Sequence, residues 1–251
     1  MSSITSEIIF CGPGVTPENF EKVKASPQFN HWVSIQDPKY TYHLITVDAV
    51  TMFGPRPGLI YITTDVTINE LRSKRVIFIR GGAIGVLFLL QSLETNKIYT
   101  VYVRQPRNAV GVTDLIEISA GMLDGATGTL ASNGIAAKEI DEELHIKILS
   151  GDLVFLTQIF PSPGACDEWI DLYFVLLQAR DSYIQSLIGK QTGELGSDEQ
   201  ITLGIAEFDE FEDMCSDGRC KDAKAMSAIF AMKKLVEKGK IEFKPSRLLE
   251  N

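Results

Sequence analysis

Cysteine and histidine are scarce in this sequence, which contains four cysteines and three histidines among 251 residues. Four cysteines are too few to form a disulfide scaffold in a chain of this length, so we interpret them as free thiols in a reducing compartment. Cys215 and Cys220 have neither a second cysteine pair nor a histidine close to them in the sequence, which argues against a zinc site.

Long apolar runs and an excess of basic residues are also lacking. The longest strongly apolar run, Ala83 to Leu90, is too short to span a bilayer and suits a buried strand. The first residues have no basic segment of the kind that begins a secretory signal. A formal net charge of -9 offers no uniformly basic surface for a nucleic-acid backbone. We therefore predict a cytoplasmic protein that binds neither membranes nor nucleic acids.

The first part of the chain predicts a small antiparallel β-rich domain. Thr16 and Pro17 form a helix start, and this helix is expected to end near Ala25. Strand-like runs at Tyr42–Met52 and Leu59–Val66 are separated by a segment rich in glycine and proline, which predicts a β-hairpin. The polar stretch Asn69–Lys74 predicts a boundary, so the domains are expected to be residues 1–74 and 75–251.

The second part of the chain mixes strands and helices. This mixture predicts an α+β fold in which a mixed sheet lies between helices as an α/β/α sandwich. In the last helix, Met226, Ile229, Met232 and Val236 are predicted to form the apolar face, and Gly239 to end it. The predicted strands are Arg75–Phe78, Ala83–Leu90, Thr100–Arg104, Leu153–Phe160 and Trp169–Gln178, and the predicted helices are Ile135–Ile146 and Asp222–Lys238.

The predicted helix at residues 135–146 carries a cluster of acids. Glu139, Glu142 and Glu143 stand at positions i, i+3 and i+4, so their side chains project from one face. The adjoining apolar face consists of Ala136, Ile140 and Leu144. Two interpretations follow from these residues alone: a solvated acidic surface, or a set of hard oxygen ligands for Mg²⁺.

The residues around this cluster resemble the Nudix box, written G, five residues, E, seven residues, then R-E-U-x-E-E-x-G-U with U apolar. Lys138 stands for the arginine, the three glutamates match, and Gly121 is the first glycine. The segment Leu115–Asp124 resembles the E-x-x-A-G-x-x-D lead-in of the nucleotide-sugar branch. Phe160–Gly164 is similar to that branch's Y/F-P-S-P-G loop, and Gln105-Pro106-Arg107 to its E-Q-x-R segment. The resemblance is closest to plant-type ADP-sugar diphosphatases.

Several positions depart from the family pattern. Sixteen residues separate Gly121 from Lys138, where the pattern has thirteen. Leu130 replaces the first glutamate, and His145 replaces the second glycine, which requires a non-glycine residue to end the helix. Arg104 replaces the glutamate of E-Q-x-R, which is expected to alter recognition of the base or sugar.

The resemblance implies Mg²⁺-dependent hydrolysis of an ADP-sugar or UDP-sugar to a nucleoside monophosphate and a sugar 1-phosphate, with Mn²⁺ as a substitute metal. It also implies a homodimer. Glu199 is the first candidate for the general base and Glu194 the second, with Glu142 at the edge of the ligand set. The implied metal ligands are the carbonyl of Ala120 and the side chains of Glu139, Glu143 and Glu199. The implied substrate-binding residues are Arg80, Arg107, Glu117, Phe160, Pro163, Gly164 and Glu168.

Other interpretations of the same residues stay open. Arg80 and Arg107 could form ordinary surface ion pairs, and residues 161–164 could be a plain turn. Glu194 and Glu199 could be ordinary acids in a loop. The rival functions are a diphosphatase acting on another substrate such as ADP-ribose, and a catalytically weak module that binds a nucleotide.

Overall fold

The computed structural model describes residues 8–9, 15–123, 129–193 and 200–249. The chain forms two compact units. The first runs to Ala83 and also includes the segment Phe160–Trp169, and the second contains most of the remaining chain.

The first unit is built from one sheet and two helices. The strands are β1 (Ile8–Ile9), β2 (Thr41–Phe53), β3 (Arg56–Ile68) and β4 (Leu71–Ile79), and the helices are α1 (Pro17–Ala25) and α2 (Pro27–Ser34). The strands lie in the order β1-β2-β3-β4. The pairs β2–β3 and β3–β4 are antiparallel, as predicted, and the two-residue strand β1 adds to β2 in the parallel direction.

Local sequence explains the boundaries of these elements. The Thr16 hydroxyl accepts a hydrogen bond from the backbone N–H of Asn19 at 3.2 Å, which confirms the predicted helix start. The hairpin between β2 and β3 is also confirmed, and Gly54 takes the positive φ of 60° that its turn requires. Strand β4 begins at Leu71 instead of Arg75 and continues across residues 74 and 75. The division into domains at that point stays a prediction.

The first unit has its own hydrophobic core. One face of the sheet, including Ile60 and Ile62, packs against α1 and α2, whose Phe20, Phe29 and Trp32 are buried. The second helix was not predicted from the sequence. The hairpin is therefore stabilised by helices of its own unit, which an isolated pair of strands would lack.

Within the described residues, the second unit combines an eight-stranded sheet with four α-helices. The strand order is β11-β12-β6-β5-β10-β9, with β7 paired to β6 and β8 paired to β5. The strands are β5 (Ala83–Ser92), β6 (Ile98–Arg107), β7 (Val112–Glu117), β8 (Ser119–Met122), β9 (Val154–Ile159), β10 (Ile170–Ala179), β11 (Gln191–Thr192) and β12 (Ile201–Glu207). The helices are α3 (Thr129–Leu144), α4 (Asp181–Ser186), α5 (Phe208–Ser216) and α6 (Ala223–Glu237).

The predicted α+β fold is confirmed. Strands β5 and β10 are buried along nearly their whole length, on both faces, because layers cover the sheet on each side. Helix α6 lies against β9 and β10, and helix α5 against β6 and β12. None of the described helices is long and apolar enough to cross a membrane.

One predicted helix face needs correction. In α6 the buried residues are Ala225, Ala228, Ile229 and Met232. Met226, which we predicted on the apolar face, is 39% exposed. The small alanines face inward because their short side chains let the helix approach the sheet closely. Gly239, with a positive φ of 62°, follows the helix end as predicted.

Candidate active site

The centre of the candidate site is the segment Glu117–Gly121, which we call the lead-in segment. It joins the end of β7 to β8, and Glu117 lies opposite Val103 in the antiparallel pairing of β7 with β6. Glu117 is buried, with a relative exposure of 6%. Because a buried carboxylate needs compensating partners, the contacts of this segment indicate what it is built to hold.

Helix α3 presents its acids to the lead-in segment. The predicted apolar residues Ala136, Ile140 and Leu144 are fully buried, which fixes the rotation of the helix. Glu143 is 8% exposed and its Oε2 accepts a hydrogen bond from the backbone N–H of Ala120 at 3.2 Å. The Thr192 hydroxyl donates to the carbonyl of Glu143 at 2.5 Å. Glu143 is therefore an inward-facing carboxylate and not part of a solvated face.

Glu139 reaches the same segment one residue further along. A β-carbon added at Gly121 would lie 2.0 Å from Cδ and 2.3 Å from Oε1 of Glu139. Only a glycine at this position leaves room for the carboxylate, which gives a physical reason for the first glycine of the motif.

The third acid of α3, Glu142, and the end of the helix also correspond to features of the predicted motif. Glu142, at the edge of this face, forms an ion pair with Lys138 at 2.8 Å. The helix ends at Leu144, and His145 adopts the left-handed backbone, with φ 52°, that its place in the motif requires.

These carboxylates fit Mg²⁺ by donor type and by their common approach to Ala120 and Gly121. They are hard oxygen ligands on successive turns of one helix, which is what Mg²⁺ favours. Within the described residues, no group of three or more His, Cys, Asp or Glu side chains forms a metal-binding cluster. Glu199, the further ligand implied by the resemblance, and Glu194 lie outside the described residues.

A buried ionic group lies on the other side of Glu117. Arg107 Nε donates to Glu117 Oε2 at 2.6 Å, and Lys224 Nζ donates to Glu117 Oε1 at 3.1 Å. Lys224 also pairs with Asp222 at 2.9 Å. Burial alone would lower the pKa of Lys224, but the charges of Asp222 and Glu117 and their hydrogen bonds raise it above its ordinary value.

The structure thus brings Arg107 and Glu117, both predicted to bind substrate, into direct contact. The resemblance predicted that the segment Asp222–Lys224 helps to read the nucleoside and sugar, but it assigned no role to Asp222 or Lys224 individually. Their contacts with Ile118 and Glu117 join residues 104 and 107 positions apart, so no local pattern could show them. The available signal was the acidic helix start Asp222 followed by a lysine two residues later.

The remaining predicted residues lie in the first unit. Arg80 Nε forms an ion pair with Glu168 Oε1 at 3.3 Å. Asp167 Oδ1 accepts hydrogen bonds from the backbone N–H groups of Arg80 at 2.7 Å and Gly81 at 3.1 Å. Burial raises the pKa of Asp167, and these backbone hydrogen bonds oppose the rise.

The predicted substrate loop also belongs to the first unit. Phe160 is 56% exposed, and Pro163 and Gly164 lie in an exposed turn. The turn is closed by the backbone N–H of Cys166, which donates to the carbonyl of Ser162 at 3.0 Å. The exposed ring of Phe160 is accessible to a ligand. A turn that has no role in binding would show the same geometry, so both interpretations of residues 161–164 remain open.

Two cavities of the second unit lie elsewhere, along helices α5 and α6. Their volumes are about 590 and 480 Å³, and no predicted site residue lines either. The three described cysteines, Cys166, Cys215 and Cys220, are free thiols, as predicted.

No family model matches the sequence. The chain is 31% identical over 217 residues to "Nudix hydrolase 14, chloroplastic" from Arabidopsis thaliana, and this similarity covers 78% of the chain and 68% of the relative. The fold is similar to a solved structure described as an ADP compounds hydrolase, with a TM-score of 0.58 and 15% identity over 81% of this chain and 97% of that one. The identity to the plant protein, over most of both chains, shows that this chain belongs to the Nudix hydrolase family.

Proposed function

We propose that this Nudix hydrolase cleaves the diphosphate of a nucleotide sugar, an ADP-sugar or a UDP-sugar, to a nucleoside monophosphate and a sugar 1-phosphate. One observation carries the proposal. Within the five residues Glu117–Gly121, the chain contacts two carboxylates of α3 at one end and holds the Arg107 guanidinium at the other. The proposed ligands of the metal ion and the guanidinium proposed to bind phosphate therefore contact the same short segment.

The proposed cofactor is Mg²⁺, with Mn²⁺ as a substitute. The Ala120 carbonyl, Glu139, Glu143 and Glu199 would hold it. Bound Mg²⁺ would neutralise the diphosphate and activate the attacking water. Electrostatics explains the need for cations, since a diphosphate charge about 5 Å from a carboxylate meets roughly 3 kcal/mol of repulsion at an effective dielectric of 20.

The side chains of this chain would divide the remaining work. Arg107 would bind a phosphate oxygen, because its charge-assisted hydrogen bonds suit phosphate geometry, while Glu117 holds its Nε. Glu199 is the proposed general base, with Glu194 as the second candidate. Arg80 is proposed to contact phosphate or base, and Phe160, Pro163, Gly164 and Glu168 stay proposed substrate-binding residues.

The test is a panel of diphosphates incubated with the purified protein and Mg²⁺, with products separated and identified. The panel contains an ADP-sugar, a UDP-sugar, ADP-ribose, a nucleoside triphosphate and capped RNA. We expect the highest kcat/KM for a nucleotide sugar, because differential transition-state binding appears in that ratio. Faster cleavage of capped RNA or a triphosphate than of every nucleotide sugar would contradict the substrate proposal.

The panel also tests the rival functions. ADP-ribose shares the diphosphate that the lead-in segment and α3 would read, so its preference over both nucleotide sugars would favour an ADP-ribose diphosphatase. Nucleotide binding without turnover would favour the catalytically weak module, for which Leu130, Lys138 and His145 are the motivating departures. Retention of the three helix glutamates argues against that module.

A homodimer is the proposed assembly, and the cytoplasm the proposed location. The first unit has an exposed apolar sheet face that would suit a second copy. Tyr61 and Phe78 stack there with ring centroids 5.1 Å apart, and Val76 on the same face is 65% exposed. The opposite face is covered by α1 and α2.

A further inference from the structure

The start of helix α6 is tied to the lead-in segment through two buried side chains. Asp222 is the N-cap of the helix and accepts a hydrogen bond from the backbone N–H of Lys224 at 3.0 Å. Its second oxygen accepts from the backbone N–H of Ile118, also at 3.0 Å. The Lys224 side chain, 15% exposed, lies between Asp222 and Glu117. The helix start therefore fixes both the backbone and the first side chain of the lead-in segment.

Glu117 has one cation on each oxygen. Lys224 holds Oε1 and Arg107 holds Oε2, so the plane of the carboxylate is fixed from two sides. The Arg107 side chain is 43% exposed, whereas that of Glu117 is 8% exposed. Among the described residues, Glu117 is the side-chain partner of Arg107, and it engages Nε. Within the part of the chain that the structure describes, the two terminal nitrogens of the guanidinium have no hydrogen-bond partner, which leaves them available to a ligand.

We propose that Lys224 is a positioning residue for substrate binding, acting on Arg107 through Glu117. This inference rests on the proposed function, in which Arg107 binds a phosphate. Without Lys224, one oxygen of Glu117 loses its cation, and the carboxylate is free to turn within a buried site. Arg107 then loses the fixed partner that orients it, so the cost falls on substrate binding.

Lys224 is a more selective probe of this chain of contacts than Asp222. Asp222 holds the Ile118 N–H, and two residues later the Ala120 N–H donates to Glu143. Loss of Asp222 would therefore disturb the α3 carboxylates as well as Glu117. The Nζ of Lys224 contacts only Glu117 and Asp222 among the described residues, so its loss leaves the contact between Ala120 and Glu143 in place.

The experiment measures kcat and KM for Lys224→Met, Arg107→Ala and the double variant with the preferred nucleotide sugar and saturating Mg²⁺. We expect KM to rise about tenfold in Lys224→Met with kcat changed by less than about twofold, as for a lost ground-state contact. The double variant should be no worse than Arg107→Ala, because both act on one interaction. Lys224→Arg should return KM to within about threefold of wild type.

Lys233→Met is the matched control. Lys233 stands on the same helix in an exposed ion pair with Glu212, so its loss should leave KM unchanged. Additive losses in the double variant, or an unchanged KM in Lys224→Met, would overturn the inference while the proposed function stands. Absence of turnover in wild type would instead reject the proposed function.

A second variant covers the case in which Lys224→Met fails to fold. Lys224→Gln removes the charge, keeps a polar side chain in the same place and leaves both hydrogen bonds accepted by Asp222 from backbone N–H groups intact. Glu117 still lacks its cation on Oε1, so the same rise in KM is expected. An unchanged KM in the folded Lys224→Gln variant would likewise overturn the inference.

Discussion

Two acidic regions of the second unit are alike in sequence and opposite in structure. Helix α5 and the turn after it carry acids whose partners are exposed: Glu210 and Asp217 both pair with Arg219, and each side chain is about half exposed. Around the lead-in segment, Glu117, Glu143 and Asp222 are 6%, 8% and 6% exposed. Composition alone would not distinguish the two regions.

The difference lies in the cost of burial. Exposed ion pairs in water contribute little to stability, so those on α5 need no special explanation. Burying a carboxylate costs several kcal/mol unless hydrogen bonds and opposite charges compensate for it. Three such carboxylates around one five-residue segment are costly, and each is held by a specific donor. The buried group is therefore the one that indicates a binding site.

The largest expected effect concerns the helix carboxylates that approach the lead-in segment. Glu139→Gln and Glu143→Gln should each lower kcat by more than about 100-fold, because each removes the charge of a proposed Mg²⁺ ligand. Glu210→Gln, on α5, should keep the wild-type rate. Steady-state kinetics checks the rates, and thermal unfolding checks that each variant is folded. Wild-type rates in both α3 variants would mean that these acids are structural.

The next prediction concerns the glycine that admits Glu139. Gly121→Ala should lower kcat by at least about tenfold, because the new β-carbon would lie 2.0 Å from the Glu139 carboxyl carbon and displace this proposed metal ligand. Gly134→Ala is the control on α3, where nothing lies within 4 Å of an added β-carbon. It should retain activity and stabilise the helix by about 0.5–1 kcal/mol. Equal activity of the two variants would contradict the placement of Glu139.

A third prediction compares the two regions by stability. Asp222→Ala should lower the free energy of unfolding by about 2–4 kcal/mol, since it removes a helix cap and leaves Lys224 and the Ile118 N–H without an acceptor. Asp217→Ala, in the exposed group, should leave the urea unfolding curve unchanged. Similar curves for the two variants would remove the distinction between the regions.

The fourth prediction moves to the first unit. The protein should be a homodimer at micromolar concentration by light scattering, since the exposed face around Tyr61 and Val76 would bury apolar surface in a second copy. Val76→Glu should shift the protein toward monomer with little loss of fold, because that side chain points away from the core. A monomeric wild type would contradict the proposed assembly.

Much of the fold was predictable because it depends on local signals. Thr16 with Pro17, the Gly54 turn and the acidic helix all carry their own pattern, and each element was found. Strand β7 was not predicted, because its first three residues are exposed and it has no inward alternation. Helix α2 was also missed, since its stability comes from burying Phe29 and Trp32 and not from helix propensity.

The candidate site was predictable to a similar extent. The spacing of Glu139 and Glu143 placed two carboxylates on one face, and the motif indicated Gly121. The roles of Asp222 and Lys224 could not be read from spacing, because they depend on contacts across more than 100 residues. The same limit applies to burial: Glu142 and Glu143 are neighbours in sequence, yet one pairs with Lys138 at the surface and the other faces the lead-in segment.

The smallest expected effect concerns Arg104, where the family pattern has a glutamate. Arg104 Nε donates to Asp114 Oδ1 at 2.9 Å across the β6–β7 pair, and both side chains are about half exposed. Asp114 neutralises Arg104, so Arg104→Glu alone would place two acids together.

Arg104→Glu with Asp114→Arg reverses the pair and keeps the charge balance. If this pair reads the base, the reversed variant should change the ratio of kcat/KM for ADP-sugar and UDP-sugar by about threefold, while the Mg²⁺ requirement and the free energy of unfolding change little. An unchanged ratio in both variants would show that recognition of the base lies elsewhere.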